Sequence, residues 1–260
     1  MRTVRSDGVR LAVDVYGAGD PVTVVGHGLT GSRHDMAPVA PFVPGTAVLF
    51  DFRGHGDSDR PPAGAYSMDH FAADLLAVAD EFEATRMVGV SLGGGAALRL
   101  LASKPDRFER LVFILPARLE RSDGARERLL ELATRLEAGE IVAVAEEVLA
   151  EEDVAGEHGD DATARDTRRR ALLRMNSDGI PPAIREVLDD PPVRDPADMH
   201  GIVAPSLVIG QEGDPVHPAA AARELADMLP NGELILYPDR FALIRDVASL
   251  VEGVVRFLTS

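Results

Sequence analysis

The chain of 260 residues contains no cysteine and no tryptophan, and Lys104 is its single lysine. Without cysteine there is no disulfide, no thiol nucleophile and no thiolate metal site. No apolar run approaches the roughly 18 residues that a transmembrane helix needs, and the first eight residues lack the apolar core of a signal peptide. We therefore expect a soluble cytoplasmic protein that has no membrane partner.

Basic residues are also scarce relative to acidic ones. The chain has 27 Lys and Arg against 43 Asp and Glu, a formal net charge of −16. Such a charge disfavours contact with the phosphates of nucleic acid or with an anionic membrane. The expected partner is therefore a small-molecule substrate and not a nucleic acid. The oligomeric state is not encoded in any pattern of the sequence.

Short apolar segments alternate with helical ones along most of the chain. Residues 2–5 and 9–16 predict an opening hairpin with one solvated face. The continuously apolar segments predict parallel strands buried on both faces: 22–26, 46–50, 86–90, 110–115, 206–210 and 233–237. Helical patterns fall near 33–40, 68–83, 92–103, 217–229 and 243–258. This alternation predicts an α/β fold with right-handed crossovers.

The alternation stops between residues 116 and 204, where the pattern is helical and contains 21 acidic and 12 basic residues. We interpret 117–204 as a helical lid inserted into a core made of 1–116 and 205–260. A lid is expected over the strand ends, where open α/β sheets bind ligands. The alternative is a set of solvated helices with no role at a pocket. Arg118 is either a contact for an anionic group or a surface arginine.

The sequence Gly89-Val90-Ser91-Leu92-Gly93 follows an apolar strand and precedes a helical segment. This G-x-S-x-G pattern in a strand–turn–helix setting is typical of a nucleophile elbow. A serine hydroxyl is a poor nucleophile at neutral pH, so it needs an exposed position and an adjacent base. Ser91 is therefore the candidate nucleophile, and the alternative is an ordinary turn between strand and helix.

Two further motifs follow predicted strands. His27-Gly28-Leu29 comes after the strand at 22–26, and Asp51-Phe52-Arg53-Gly54-His55-Gly56-Asp57-Ser58 comes after the strand at 46–50. The second motif is interpreted as a glycine-rich loop that is held by charge and hydrogen bonds. We expect that loop to brace the elbow and to take no part in chemistry.

Together the elbow, the His-Gly motif and the D-x-R-G-H-G-x-S loop resemble the α/β-hydrolase superfamily, over nearly all of the chain outside 117–204. The resemblance implies an α/β-hydrolase fold: a mostly parallel eight-stranded sheet flanked by helices, with an inserted helical lid. It also implies a catalytic serine followed along the chain by an acid and then a histidine. The N–H groups of Leu29 and Leu92 would form the oxyanion hole, and His27 would be a structural residue in the wall of the substrate pocket.

The acid of this resemblance maps onto Asp214, which follows the strand at 206–210; the alternative is an aspartate at a helix start near Pro218. The histidine does not map, because no histidine follows His217. The register instead places Phe241 in the histidine's position, where its ring would fill part of the substrate pocket. His217 is the candidate substitute base, and the alternative is a solvated histidine at a helix start. His34, after the oxyanion loop, is a second candidate.

The sequence therefore predicts a serine hydrolase of the esterase kind, acting on a small ester, lactone or related acyl substrate with a non-standard or missing base. Two alternatives remain. The first is a ligand-binding protein that has lost hydrolysis, and the second is a lyase or cyclase that uses only the oxyanion pocket. No cofactor or metal is expected, because the histidines do not cluster at ligand spacing.

Overall fold

The computed structural model describes residues 2–116, 123–154, 162–175 and 178–260. Eight strands form one sheet in the order β1-β2-β4-β3-β5-β6-β7-β8. The strands are β1 (Arg2–Ser6), β2 (Val9–Gly17), β3 (Val22–Gly26), β4 (Thr46–Phe50), β5 (Arg86–Val90), β6 (Arg110–Ile114), β7 (Ser206–Gln211) and β8 (Gly232–Tyr237). Strand β2 runs antiparallel to both neighbours, and β3 to β8 are parallel. The mostly parallel eight-stranded sheet predicted from the sequence is confirmed.

Helices connect the parallel strands on both faces of the sheet. The helices are α1 (Arg33–Met36), α2 (Met68–Glu81), α3 (Leu92–Ser103), α4 (Asp123–Glu137), α5 (Ile141–Val154), α6 (Ala162–Leu172), α7 (Ile180–Val187), α8 (Ala219–Met228), α9 (Ala242–Arg245) and α10 (Val247–Thr259). Two short 3-10 turns span Ala40–Phe42 and Pro196–Gly201. In the described ranges, no helix is long and apolar enough to cross a membrane.

The core lies on both faces of the sheet, because successive strand residues point to opposite sides. Val24 belongs to the cluster that packs against α2, α3 and α8, whereas Val25 belongs to the cluster that includes Phe257 and Leu258 of α10. This double burial explains why the parallel strands are continuously apolar in sequence. It also places the carboxyl ends of β3 to β8 along one edge of the sheet.

Two helices differ from the sequence prediction. The helix expected near 33–40 ends at Met36, because Pro38 lacks an N–H donor and disfavours a helical conformation at the residue before it. The helix expected at 243–258 is divided into α9 and α10 at Asp246. The Asp246 side chain accepts a 3.0 Å hydrogen bond from the Ser249 N–H and so begins α10.

Helices α4 to α7 lie between β6 and β7, in the segment that was predicted to be an insertion. They share an apolar cluster of their own, which includes Ala133, Leu149, Leu172 and Ile184. Leu29, from the loop after β3, packs against this cluster. The insertion is therefore in contact with the sheet edge that carries the candidate site. Arg118 lies outside the described residues.

Candidate active site

Ser91 occupies the sharp turn between β5 and α3, with φ 46° and ψ −103°. A non-glycine residue at positive φ is strained, and such strain is concentrated at functional sites. The flanking glycines are required by close backbone contacts. A Cβ added at Gly89 would lie 2.5 Å from the Gly94 nitrogen, and one added at Gly93 would lie 2.4 Å from the Gly26 oxygen. The sequence therefore folds into the elbow that its G-x-S-x-G pattern predicts.

His217 lies directly against the elbow. Its Nε2 atom is 2.9 Å from the Ser91 Oγ atom, and its Nδ1 atom is 3.4 Å from the Asp214 Oδ2 atom. A carboxylate only accepts hydrogen bonds. This contact therefore favours the proton on Nδ1 and leaves Nε2 to accept from the serine hydroxyl. The side chain of His217 is 19% exposed, so most of the ring is shielded from solvent.

The Asp214 carboxylate is fixed by the turn that it begins. Its Oδ1 atom accepts hydrogen bonds from the Val216 and His217 N–H groups, each at 2.8 Å. The Gln211 side-chain amide donates to Oδ2 at 2.9 Å. Burial alone would raise the pKa of Asp214, but its hydrogen bonds with His217 and Gln211 and the attraction of His217 hold that pKa well below its usual value. Asp214 is therefore ionised at neutral pH and faces the histidine ring.

The loop after β3 brings a second polar feature to Ser91. A Cβ added at Gly28 would lie only 3.8 Å from the Ser91 Cβ, so the Gly28–Leu29 peptide borders the elbow. Within the described part of the chain, neither the Leu29 nor the Leu92 N–H donates to a protein acceptor. The Gly93 N–H donates to the His27 oxygen at 3.1 Å and ties the two loops together. This is the arrangement expected if both N–H groups serve an oxyanion.

His27 is buried beneath this loop, and both of its ring nitrogens have partners. The Phe52 N–H donates to Nε2 at 3.1 Å, and Nδ1 lies 2.7 Å from the Gly28 oxygen. Burial, reinforced by nearby His55, lowers the pKa of His27 well below its ordinary value. His27 therefore contributes a neutral ring to the cavity wall, and it has no nitrogen left for a proton transfer.

The loop after β4 is held by buried ion pairs, as the bracing interpretation predicts. Arg53 donates to Asp74 from Nε at 2.9 Å and from Nη2 at 2.6 Å, and both side chains are almost fully buried. The His55 Nε2 atom lies 2.7 Å from the Leu29 oxygen. The loop after β4 thus holds the loop after β3 in position through the contact between His55 and Leu29.

Ser91 opens into a cavity of about 400 Å³. The core supplies His27, Leu29 and His217 to its wall, and the insertion supplies Leu129 and Val187. Most of the lining side chains are apolar, which is typical of small-molecule sites. Arg168 also lines this cavity, but its guanidinium is paired with the buried Glu152 carboxylate at 2.9 Å.

Two predicted positions do not reach this cavity. Phe241 does not line it; its ring lies against the Arg240 guanidinium, whose central carbon is 4.2 Å from the ring centroid. The expectation that the Phe241 ring lines the substrate pocket is therefore wrong. His34 also lies outside the wall of the cavity, with its Nε2 atom 4.0 Å from Asp57. The described ranges contain no group of three His, Asp or Glu that could hold a metal ion.

The sequence did not identify several side chains that surround Ser91, Asp214 and His217. Gln211 was not singled out, although its amide supports Asp214. Leu129, Arg168 and Val187 line the cavity from separate helices of the insertion. For Gln211, the sequence did contain an indication: it is a polar residue at the end of an otherwise largely apolar strand.

Comparison with known proteins agrees with this geometry. The sequence matches the family model of the alpha/beta hydrolase fold over residues 21–243. It is 31% identical to the putative non-heme bromoperoxidase BpoC of Mycobacterium tuberculosis, with 89% of this chain and 90% of that protein covered. It is 28% identical to the rhodomycin D methylesterase DnrP of Streptomyces peucetius, over 72% of each.

Solved structures show the same fold. The enol-lactonase from Burkholderia xenovorans superimposes with a TM-score of 0.84, at 22% sequence identity and over the full length of both chains. The relatives are enzymes, and they support a hydrolase-type activity on small substrates. From its sequence match and from its sheet, this chain belongs to the alpha/beta hydrolase family.

Proposed function

We propose that this protein is a serine esterase that hydrolyses small, largely apolar carboxylic esters or lactones. The observation that carries the proposal is the 2.9 Å contact between the His217 Nε2 atom and the Ser91 Oγ atom, with Asp214 behind the ring. The three residues occur in the chain order serine, acid, histidine that is typical of this fold. They differ from the family pattern because the acid and the base share one turn.

The chemistry follows from the positions of the protons. Ser91 attacks the ester carbonyl while its hydroxyl proton passes to the His217 Nε2 atom, and Asp214 stabilises the resulting imidazolium. The Leu29 and Leu92 N–H groups receive the negative oxygen of the tetrahedral intermediate. His217 then gives the proton to the departing alcohol oxygen, which leaves an acyl group on Ser91. A water that gives its proton to His217 attacks this acyl group; the bond from the acyl carbon to Ser91 Oγ then breaks, His217 returns the proton to that oxygen, and the carboxylic acid is released.

The cavity favours a neutral substrate. Its wall is mainly aliphatic, and the charge of Arg168 is balanced by Glu152. The Asp35 carboxylate, which also lies in this wall, accepts a hydrogen bond from the Ser32 N–H. The names of the similar proteins include a methylesterase and an enol-lactonase, which act on ester and lactone bonds. Helices α4 and α7 contribute Leu129 and Val187 to the roof, so we assign the insertion the role of a lid that limits the access of water.

The test is covalent labelling with a fluorophosphonate probe, followed by turnover of p-nitrophenyl acetate. The wild-type protein should be labelled at Ser91, and Ser91→Ala should not be labelled. His217→Gln should slow both labelling and turnover by about 10³-fold or more, whereas His34→Gln, a control at the second candidate histidine, should retain both. If the wild-type protein resists the probe and leaves the ester intact, the esterase proposal is wrong and a ligand-binding or non-hydrolytic role takes its place.

A further inference from the structure

A second cavity, of about 260 Å³, lies between the sheet and α10; we call it the aliphatic cavity. Sheet residues Val25, Leu49 and Val88 form one wall, and Leu250 and Val251 of α10 form the opposite wall. Nearly all of the lining side chains in the described chain are aliphatic, and Asp35 is their one ionisable group. The Asp35 Oδ2 atom accepts a 2.9 Å hydrogen bond from the Ser32 N–H, so the backbone already engages this carboxylate.

The aliphatic cavity adjoins the Ser91 cavity. Asp35, Met36, Val90 and Leu115 line both of them. Val90 immediately precedes Ser91, so the shared wall lies beside the nucleophile. A substrate whose carbonyl carbon is at Ser91 could therefore extend past Val90 and Leu115 into the aliphatic cavity.

The fold explains why this space exists. Helix α1 has only four residues, and after it Pro38 and Pro41 replace helix with a 3-10 turn. Single side chains of the connection between β3 and β4, among them Val39 and Val43, therefore line the cavity in place of a long helix. The turn after β8 places aliphatic Leu243 in the wall, and this is the region where the family resemblance expected the histidine.

We propose that the aliphatic cavity binds the acyl chain of the substrate, so that the preferred substrates are esters of medium-length unbranched fatty acids. This proposal rests on the esterase function proposed above and specifies its substrate class. The leaving oxygen must receive a proton from the His217 Nε2 atom, so the alcohol part lies near Val216, His217 and Pro218. None of these three residues lines the aliphatic cavity. The acyl chain is thus the part of the ester directed toward it.

The binding free energy for an acyl chain would come from contacts with the aliphatic side chains that line the cavity. Aliphatic walls of this kind bind apolar ligands, because an unfilled space leaves the lining atoms without dispersion partners. An alkyl chain restores these contacts and brings its own methylene groups out of water. Burial of one methylene raises kcat/KM by about three- to fourfold, as long as the added group still fits.

The first experiment is a series of p-nitrophenyl esters with acyl chains of two to twelve carbons. For the wild-type protein, kcat/KM should rise by about threefold per methylene from the acetate upward and then level off when the cavity is full. A parallel series of alkyl acetates, in which the alcohol lengthens, should show a much weaker rise. An equal or steeper rise with the alcohol would overturn the assignment of the acyl chain to the aliphatic cavity.

The second experiment fills the cavity. Val251→Phe places a larger side chain in its wall and should lower the ratio of kcat/KM for the decanoate ester to that for the acetate by at least about tenfold. Leu250→Phe, in the same wall, should act in the same way if Val251→Phe folds poorly. The matched control is Ala248→Phe, on an exposed position of α10 outside the cavity; it should leave both esters unaffected.

The outcomes separate the two proposals. Labelled Ser91 and normal acetate turnover, with no dependence on acyl length, would refute the acyl-chain assignment and leave the esterase intact. Absence of labelling would refute the esterase. The aliphatic cavity is then tested by decanoate alone, which should raise the melting temperature of Ser91→Ala but not that of the Ser91→Ala, Val251→Phe double variant. Equal shifts in the two proteins would overturn decanoate binding in this cavity.

Discussion

The turns after β7 and β8 begin in the same way and carry different side chains. In the first, Asp214 Oδ1 accepts a hydrogen bond from the N–H of Val216, two residues on, at 2.8 Å. In the second, Asp239 Oδ1 accepts one from the N–H of Phe241, also two residues on, at 3.0 Å. The residue that follows the N–H donor is His217 in the first turn and Ala242 in the second. The turns after two neighbouring strands therefore share this hydrogen bond, and the first of them brings an imidazole to Ser91.

If His217 is the base, as proposed, the position of the base depends on which turn faces Ser91 and less on the order of strands. The aspartate turn fixes the backbone of the third residue, and that residue's side chain then extends toward the elbow. The turn after β8 directs Leu243 toward the aliphatic cavity instead. Under the proposed function, His217 after β7 takes the role that the family resemblance assigns to a histidine after β8.

The largest expected effect comes from removing the base. His217→Ala should lower kcat for p-nitrophenyl acetate by about 10⁴-fold, because Ser91 would then have no proton acceptor. Phe241→Ala, in the other turn, should change kcat by less than about threefold. Steady-state kinetics of the two variants compares the turns directly. A large loss in Phe241→Ala would show that the turn after β8 also acts at the site.

The two aspartates provide the next comparison. Asp214→Asn should reduce kcat by about 10²- to 10³-fold, because a neutral amide no longer favours the Nδ1 proton or stabilises the imidazolium. Asp239→Asn makes the same chemical change in the other turn and should leave kcat within about twofold. Circular dichroism should show both variants folded. Equal kcat values for the two variants would contradict the assignment of Asp214.

The strand ends provide a third and smaller contrast, since Gln211 and Tyr237 are register partners in β7 and β8. Gln211→Leu removes the 2.9 Å donor to Asp214 and should lower kcat by about tenfold, the usual cost of losing a hydrogen bond to a charged group. Gln211→Glu should be worse than Gln211→Leu, because it places a second negative charge beside Asp214. Tyr237→Phe is the matched control and should retain wild-type kcat. If Gln211→Leu does the same, Gln211 is a packing residue only.

The smallest expected effect concerns the position that family resemblance assigns to the base. The double variant His217→Ala, Phe241→His should have a kcat less than about twofold above that of His217→Ala, because Phe241 does not line the Ser91 cavity. The assay is the same ester hydrolysis with the double variant. A recovery of tenfold or more would show that an imidazole at 241 reaches Ser91 after all.

Much of the fold could be predicted because burial on two faces leaves a plain signal. The strands β3, β4 and β5 begin and end at the predicted residues, and β6, β7 and β8 differ from prediction by a single residue at one end. The elbow was equally readable, since Gly89 and Gly93 are demanded by close backbone contacts. The error in α1 came from counting an amphipathic pattern across Pro38.

The base could not be settled from the sequence. A separation of three positions from Asp214 to His217 is compatible with a solvated ring or with one turned toward Ser91, and only the turn geometry decides between them. The error at Phe241 has a similar cause: a register in sequence does not say where a side chain points. The cavity walls were unreadable for another reason, because α4, α6 and α7 each contribute one or two residues that are distant in sequence.

The carboxylate of Asp214 and the imidazole of His217 come from one tetrapeptide, whose own N–H groups hold the carboxylate. The Gln211 amide that supports the carboxylate precedes it by three positions. Under the proposed function, a single short segment from the end of β7 to α8 therefore carries acid, base and supporting amide. Grafting residues 211–218 onto a related sheet would then transfer all three groups in a single step.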